Sequence, residues 1–133
     1  MATLPKAPLT KPEATAPSGV VGIARARFVR GSARKTRDVA RLIKDRPVTQ
    51  AVAVLAATNK RPAAVLSKVL KAALANTLQR HPQLTPHGLR IARIVVNEGP
   101  MAKRFRAAAM GRATRIRKRT SHITIELTTH HGP

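Results

Sequence analysis

Eight Lys and Arg residues fall within the seventeen positions 103–119, a segment that contains no Asp or Glu. They are Lys103, Arg104, Arg106, Arg112, Arg115, Arg117, Lys118 and Arg119. Arg presents a planar fork of N–H donors that matches the oxygens of a phosphate, and Lys adds a compact positive charge. A strand with cations on both faces cannot be buried in a core without an anionic partner. The segment therefore favours phosphate binding.

The other ionisable residues form no catalytic or metal-binding pattern. Five acids are scattered along the chain without a pair spaced for acid–base work, and five His residues lack the spacing of metal ligands. Cys is absent, which excludes disulfides, thiol catalysis and most structural zinc sites. Glycine-rich nucleotide motifs are also missing. We therefore expect no enzyme activity, no metal and no cofactor.

Length and charge narrow the function further. The 133 residues suit one domain, and the net charge of +21 favours a partner that supplies phosphates. Nucleic acid is the first candidate and an anionic membrane surface the second, although no apolar run approaches the roughly 20 residues of a membrane span. Two Phe and no Trp or Tyr argue against a sheet that stacks bases on aromatic rings. The mode of recognition that remains is contact of Arg and Lys with the phosphates and the shape of a nucleic acid.

Two strands flank the basic segment. Residues Ile91 to Val96 form an apolar run, and Ile123, Ile125 and Leu127 alternate with polar residues in the half-buried pattern of a β-strand. We predict a long β-hairpin over about 91–119 that leaves the body, with Gly111 as a bend or bulge in one arm. The arm from Ile91 to Arg106 would reach on the order of 50 Å at about 3.3 Å per residue.

The N-terminal half predicts a strand and three helices. Val20 to Val29 alternates between apolar residues, Phe28 included, and a basic face, and Ser32 stands at the N-cap of a helix over 33–43. A second helix follows over 48–58, and a third begins at Pro62. The third carries an i, i+4 row, Leu66, Leu70, Leu74 and Leu78, that indicates a buried face.

These elements predict one compact body formed by residues 20–96 and 114–128, with Leu66, Leu70, Leu74 and Phe28 in its core. The whole RNA-binding domain, hairpin included, spans 20–128. Residues 1–19 contain four Pro and form a disordered arm, for which a transit peptide is a weaker interpretation because Glu13 is present and Arg absent. Residues 129–133 form a tail.

The C-terminal third resembles a known family. The run GRATRIRKRTSHITIEL, preceded by NEGPMAKRFR, is similar to the signature of the large-ribosomal-subunit protein 22 family, with Gly111-Arg112-Ala113 and Lys118 to Ile123 in order and without gaps. ARARFVRGSARKTRDVARLI resembles the first strand and helix of that family, and Ala75-Asn76 also fits. The resemblance covers roughly residues 23–128.

The resemblance implies an α+β fold in which a three-stranded antiparallel sheet packs against three helices and a long extended hairpin threads through ribosomal RNA to the peptide exit tunnel. The implied partners are large-subunit ribosomal RNA, neighbouring large-subunit proteins and the nascent peptide, without a membrane or a homo-oligomer. Two positions depart from the family: Ala107-Ala108 replaces the usual Pro-Arg, and Ala33 replaces Pro. A role tied to that tip Arg therefore cannot be transferred.

Charge and resemblance together define the expected site. The residues expected to bind RNA are Arg25, Arg27, Arg30, Ser32, Arg34, Lys35, Arg37, Arg41, Lys68, Asn76, Lys103, Arg104, Arg106, Arg112, Arg115, Arg117, Lys118, Arg119, Ser121 and His122. The residues expected to line the tunnel are Met101, Ala102, Lys103, Arg104, Phe105, Arg106, Ala107 and Ala108. A solvated helix face is the alternative to phosphate contact for the cations of residues 34–44, Lys44 included.

Other functions fit the charge less well. A nucleoid-associated DNA-binding protein would leave the strand-borne cations at 112–119 unexplained. A membrane-active cationic peptide is disfavoured because the best amphipathic helix, 63–80, is rich in Leu and poor in cations. We expect the protein in the cytoplasm, within the ribosome; an organellar ribosome is the other location compatible with the sequence.

Overall fold

The computed structural model describes residues 19–129. The expected arm (1–19) and tail (129–133) lie outside them, apart from Gly19 and Thr129. The elements, in chain order, are β1 (Val20–Arg30), α1 (Ala33–Ile43), α2 (Val48–Ala57), α3 (Arg61–Arg80), a short 3-10 helix (Pro86–Gly88), β2 (Leu89–Glu98), β3 (Ala102–Ala107), β4 (Ala113–Lys118) and β5 (Thr120–Thr129).

Two antiparallel sheets organise these elements. The first has the strand order β1-β5-β2, and the second consists of β3 and β4 alone. Helix α3 packs on β1 and β5, while α1 packs on β2 and α3. The predicted α+β class, with three helices on a three-stranded antiparallel sheet and a hairpin, is confirmed.

The core lies between the helices and one face of the first sheet. Ile123, Ile125 and Leu127 are buried on central strand β5, as their alternation predicts. On α3, Leu66 and Leu70 are fully buried, but Leu74 is only partly buried at the edge of the core. The buried stripe of α3 runs through Ala63, Leu66, Val69, Leu70, Ala73 and Thr77, because contacts at i+3 and i+4 alternate on a helix of 3.6 residues per turn.

Phe28 does not join this core, and that prediction was wrong. The β1–β5 register passes from Ala26 opposite Ile123 to Val29 opposite Ser121, so Arg27 and Phe28 together oppose one residue, His122. This is a β-bulge, and the extra residue shifts the alternation of all that follows. Val29 turns toward the core, while Phe28 has φ 55° and is 58% exposed.

The hairpin is divided between the two sheets. Strand β2 pairs with β5 inside the body, so only β3, β4 and their turn extend beyond it. The prediction that the body begins again at residue 114 is wrong, since 113–118 form β4 and are exposed apart from half-buried Ile116. The ten residues 101–110 give the projecting arm a reach of about 30 Å, shorter than the 50 Å expected.

The turn of the hairpin lies at Met110–Gly111. Both residues have positive φ, 59° and 66°, and Arg112 N–H donates to Ala109 O at 3.4 Å. Positive φ at both central positions is the two-residue turn that suits the twist of antiparallel strands. Gly111 therefore belongs to the turn itself and not to a bend in an arm. Met101, which was expected to line the tunnel, lies at the opposite end of the hairpin.

Candidate nucleic-acid interface

Like charges face each other across the β3–β4 hairpin. Lys103 is directly opposite Arg117, and Phe105 is opposite Arg115. Directly opposed residues of antiparallel strands share a face, and like charges in such a pair are destabilising. Arg104 and Arg106 lie on the other face, so both faces are positive and exposed. An anion lying along the ladder would relieve this repulsion, and phosphate groups fit the guanidinium donors.

Hydrogen bonds fix the base of the hairpin to the body. Gly99 N–H donates to Thr120 O at 2.9 Å, and the Thr120 hydroxyl donates to Pro100 O at 2.6 Å. Gly31 N–H, at the end of β1, donates to Arg119 O at 3.1 Å. The cations of the hairpin are thereby held in a defined position relative to those of β1 and α1.

A cleft lies where the hairpin meets the start of α1. Its lining includes Ser32, Arg34, Lys35, Arg119 and Met101, together with the acids Asp38 and Glu98. Ser32 occupies the N-cap as predicted, but its side chain makes no capping hydrogen bond. Four of the residues expected to bind RNA therefore meet here, whereas Met101 lies at the base of the hairpin and not at its tip.

A second cleft continues the positive surface from β1 onto β4. Arg30, Arg117, Lys118 and Arg119 line it, and so does Arg61. Arg61 was not among the predicted residues. Arg61 is the first residue of α3, and it reaches the cleft through the packing of that helix beside β1, which no pattern in the sequence marks.

A groove with four cations runs between α1 and the edge strand β2. Its lining includes Arg37, Arg41, Lys44 and Arg93. Arg37 also donates from Nε to Val96 O at 2.9 Å, which ties α1 to β2 and leaves its other guanidinium N–H groups for a ligand. Lys44 belongs to the helix cations considered for phosphate contact, whereas Arg93 was not predicted. Arg93 follows a register shift at Ile91–Arg93, which the sequence does not mark.

The outer face of β1 is basic, as expected. Arg25, Arg27 and Arg30 are exposed. His122 lies beside them, and its Nδ1 accepts the backbone N–H of Phe28 at 3.0 Å. The ring of His122 meets the ring of Phe28 edge-on, with the centroids 4.7 Å apart.

Three other expected residues have different surroundings. Ser121 is 1% exposed and lies on the same strand face as Ile123, because alternate residues of a strand share a face, so its side chain is not exposed for the predicted contact with RNA. Asn76 donates from Nδ2 to Ile23 O at 3.2 Å and joins α3 to β1. Lys68 is exposed on α3 but lines none of these clefts.

Acids offset little of this charge. Within residues 19–129, the ion pairs are Arg41–Asp38 and Lys44–Asp45, each at 4.0 Å with both side chains more than half exposed. Exposed pairs of this kind contribute little to stability. The same residues contain no cluster of His, Cys, Asp or Glu able to hold a metal, and no helix among them is long and apolar enough to cross a membrane.

Known proteins are similar to this chain over most of its length. Residues 24–128 match the sequence profile of the family described as ribosomal protein L22p/L17e. The chain is 52% identical over 104 residues to the large ribosomal subunit protein uL22 of Nitratidesulfovibrio vulgaris strain DP4, a match that covers 78% of this chain and 92% of the relative. It is 48% identical over 102 residues to the uL22 protein of Rubrobacter xylanophilus, covering 77% and 80% of the two chains.

Proposed function

The chain belongs to the ribosomal protein L22p/L17e family, whose members are structural and not enzymes, and from this premise we propose that it binds large-subunit ribosomal RNA through its basic surface. In this role it is a structural constituent of the large ribosomal subunit and acts there in assembly and translation. Its neighbours in the particle are ribosomal RNA and other large-subunit proteins.

The observation that carries the proposal is the charge of the hairpin. Lys103 and Arg117 oppose each other, cations occupy both faces, and no acid lies within 103–119. Such an arm is unfavourable in water because its charges repel and because an isolated two-stranded ribbon is marginally stable. RNA on both sides of the arm neutralises the repelling charges and supplies the packing that an isolated two-stranded ribbon lacks. The arm fits a polyanion that surrounds it.

The far end of the hairpin supports a narrower proposal. Ala107, Ala108 and Ala109 are small and uncharged, and they precede the turn. We propose that this end, with Phe105 and Arg106, lines the peptide exit tunnel, where small side chains allow a nascent peptide to pass. Met101 and Ala102, at the base, would then contact RNA near the body. The alternative is that these residues form an alanine-rich turn that has no role.

Co-sedimentation tests the RNA-binding proposal. The tagged full chain should remain with large ribosomal particles through a sucrose gradient at high salt. A nucleoid protein would instead prefer duplex DNA at matched salt and leave the ribosomal fractions. The proposal would be contradicted if the chain sedimented apart from the particles, both when isolated from cells and after reconstitution.

A charge series tests which cations bind phosphate. Replacing Arg115 or Arg117 with Gln should weaken binding to ribosomal RNA and lower the slope of log K against log salt by about 0.7–0.9 for each phosphate that the protein no longer neutralises. The effect should be similar for related RNA sequences, since phosphate contacts carry no base identity. Lys71→Gln, an exposed α3 residue outside the clefts, is the control. Weaker binding limited to one base identity would contradict backbone recognition.

A further inference from the structure

We propose that Phe28 is a stacking site for one unpaired base of ribosomal RNA, which inserts between the Phe28 ring and the guanidinium of Arg27. The inference rests on the proposed RNA-binding function and names a contact within it. It differs in kind from the phosphate contacts above, because stacking does not depend on charge.

The backbone at Phe28 is the first observation. Phe28 has φ 55°, in the left-handed region that bulky residues seldom adopt. It is the extra residue of the bulge opposite His122, and it turns outward where the regular alternation would have placed it in the core. Non-glycine residues in this region carry a conformational cost and concentrate at functional sites. Burial offsets little of this cost, because Phe28 is 58% exposed.

His122 contacts the Phe28 ring and also binds its backbone. Its Nδ1 accepts the Phe28 N–H at 3.0 Å, and the two rings are nearly perpendicular, at 85°. The other end of the imidazole lies beside Gly99, where an added Cβ would come 3.2 Å from His122 Nε2. A ring fixed in this way loses little freedom when a base stacks on it, so the site is preorganised.

Arg27 supplies the opposite side of the slot. Its guanidinium carbon lies 5.6 Å from the centroid of the Phe28 ring. A base stacked on both planes needs two spacings of about 3.4 Å, or about 6.8 Å in all. The exposed Arg27 side chain must therefore retreat by about 1 Å, a small movement for a long side chain. Arg stacks on base planes as aromatic rings do, so it can cover the second face of the base.

The surroundings favour RNA over a protein partner. Arg25 and Arg30 lie on the same strand, on either side of the bulge, and all three β1 arginines are exposed. Phosphates that flank an inserted base would meet these cations, whereas an apolar pocket of a neighbouring protein would have to bury them. Arginines beside an exposed aromatic ring are the combination that single-stranded nucleic acid binds.

Binding of the full chain to protein-free large-subunit ribosomal RNA tests the inference. Phe28→Asn removes the ring but suits the left-handed backbone, so the fold should be retained, as a melting curve would show. Binding should weaken by about 5- to 150-fold, with an unchanged salt slope. Phe28→Tyr should bind like the wild type. Arg27→Gln should weaken binding and also lower the slope.

A tryptophan reporter gives a second readout. The chain contains no Trp, so Phe28→Trp introduces a single fluorophore, and its emission should be quenched when the RNA binds. If the wild type binds the RNA but Phe28→Asn binds equally and the Trp is not quenched, the stacking inference is overturned. If Phe28→Asn were defective only in assembled particles, Phe28 would contact a neighbouring protein, and the stacking inference would again be overturned. Absence of binding by the wild type would instead refute the proposed function.

Discussion

Gly22 of β1 lies directly against Thr77 of α3. A Cβ on Gly22 would overlap Thr77 Oγ1, lie 2.9 Å from Thr77 Cβ and come within 3.3 Å of Ala73 O. Thr77 is fully buried, and its hydroxyl donates to Ala73 O at 2.8 Å, so the side chain has no free direction in which to move. The long helix thus packs directly against β1 where the strand has no side chain.

Gly22→Ala should therefore destabilise the protein. The added methyl group must displace Thr77 or push α3 away from β1, and overpacking of this kind costs about 1–3 kcal/mol. Thermal or urea unfolding of the full chain, at a salt concentration that screens its self-repulsion, measures the change. Gly88→Ala is the matched control, because its Cβ would meet only Thr85 Oγ1 at 3.8 Å. Equal stability of the two variants would contradict this account of the packing.

Leu70→Ala tests the core on the helix side. Leu70 is fully buried among the side chains of α3 and the sheet, and removing its isobutyl group leaves a cavity. We expect the free energy of unfolding to fall by about 2–5 kcal/mol. Leu42→Ala, at a residue 43% exposed on α1, should change it by less than about 0.5 kcal/mol. If Leu70→Ala lowered the free energy of unfolding by less than about 0.5 kcal/mol, the assignment of Leu70 to the core would be wrong.

Hydrophobic periodicity and the residues that begin and end helices allowed much of the fold to be predicted. Gly31 and Ser32 mark the start of α1 at residue 33, and the alternation of Ile123, Ile125 and Leu127 identifies the inner face of β5. Bulges explain most of what was missed. A bulge at a residue other than Gly leaves no mark in the sequence, so counting in twos placed Phe28 in the core. Arg93 was passed over because Ile91 to Val96 was interpreted as an apolar run.

Charge predicted which residues are exposed more reliably than the motif did. The β1 and hairpin cations are exposed as expected. Ser121 was included because it belongs to the family signature, although its neighbours on the strand point to the opposite face. Arg61 joins the cleft only through tertiary packing that brings α3 beside β1 and β4, which a linear pattern cannot express.

Arg93 should contribute to RNA binding although the sequence did not indicate it. It lines the groove with Arg41 and Lys44, at the edge of the sheet. Arg93→Gln should weaken binding to ribosomal RNA and lower the salt slope by about 0.7–0.9 if the side chain neutralises one phosphate. The melting temperature should not change, because the side chain is exposed. Binding and slope equal to those of Lys71→Gln would exclude the groove from the interface.

The tunnel proposal is best tested by shortening the hairpin without disturbing its register. Arg106 and Thr114 oppose each other, so replacing residues 107–113 with Asn-Gly closes the ladder with a two-residue turn. The loop becomes five residues shorter, and the tip retreats by about 8 Å. Because the body, the clefts and the remaining hairpin cations are retained, subunit yield should be normal. Nascent-chain stalling and tolerance to macrolides that occupy the tunnel should change.

Met110→Asn is the matched control for this deletion. It creates the same Asn-Gly turn at full length, since Asn accepts the positive φ that Met110 adopts, so it changes the turn chemistry without moving the tip. Subunits carrying Met110→Asn should behave as the wild type in both assays. If the shortened hairpin also assembles normally and leaves macrolide tolerance and stalling unchanged, the tip does not reach the path of the peptide. A strong assembly defect confined to the shortened variant would instead assign residues 107–113 to RNA binding.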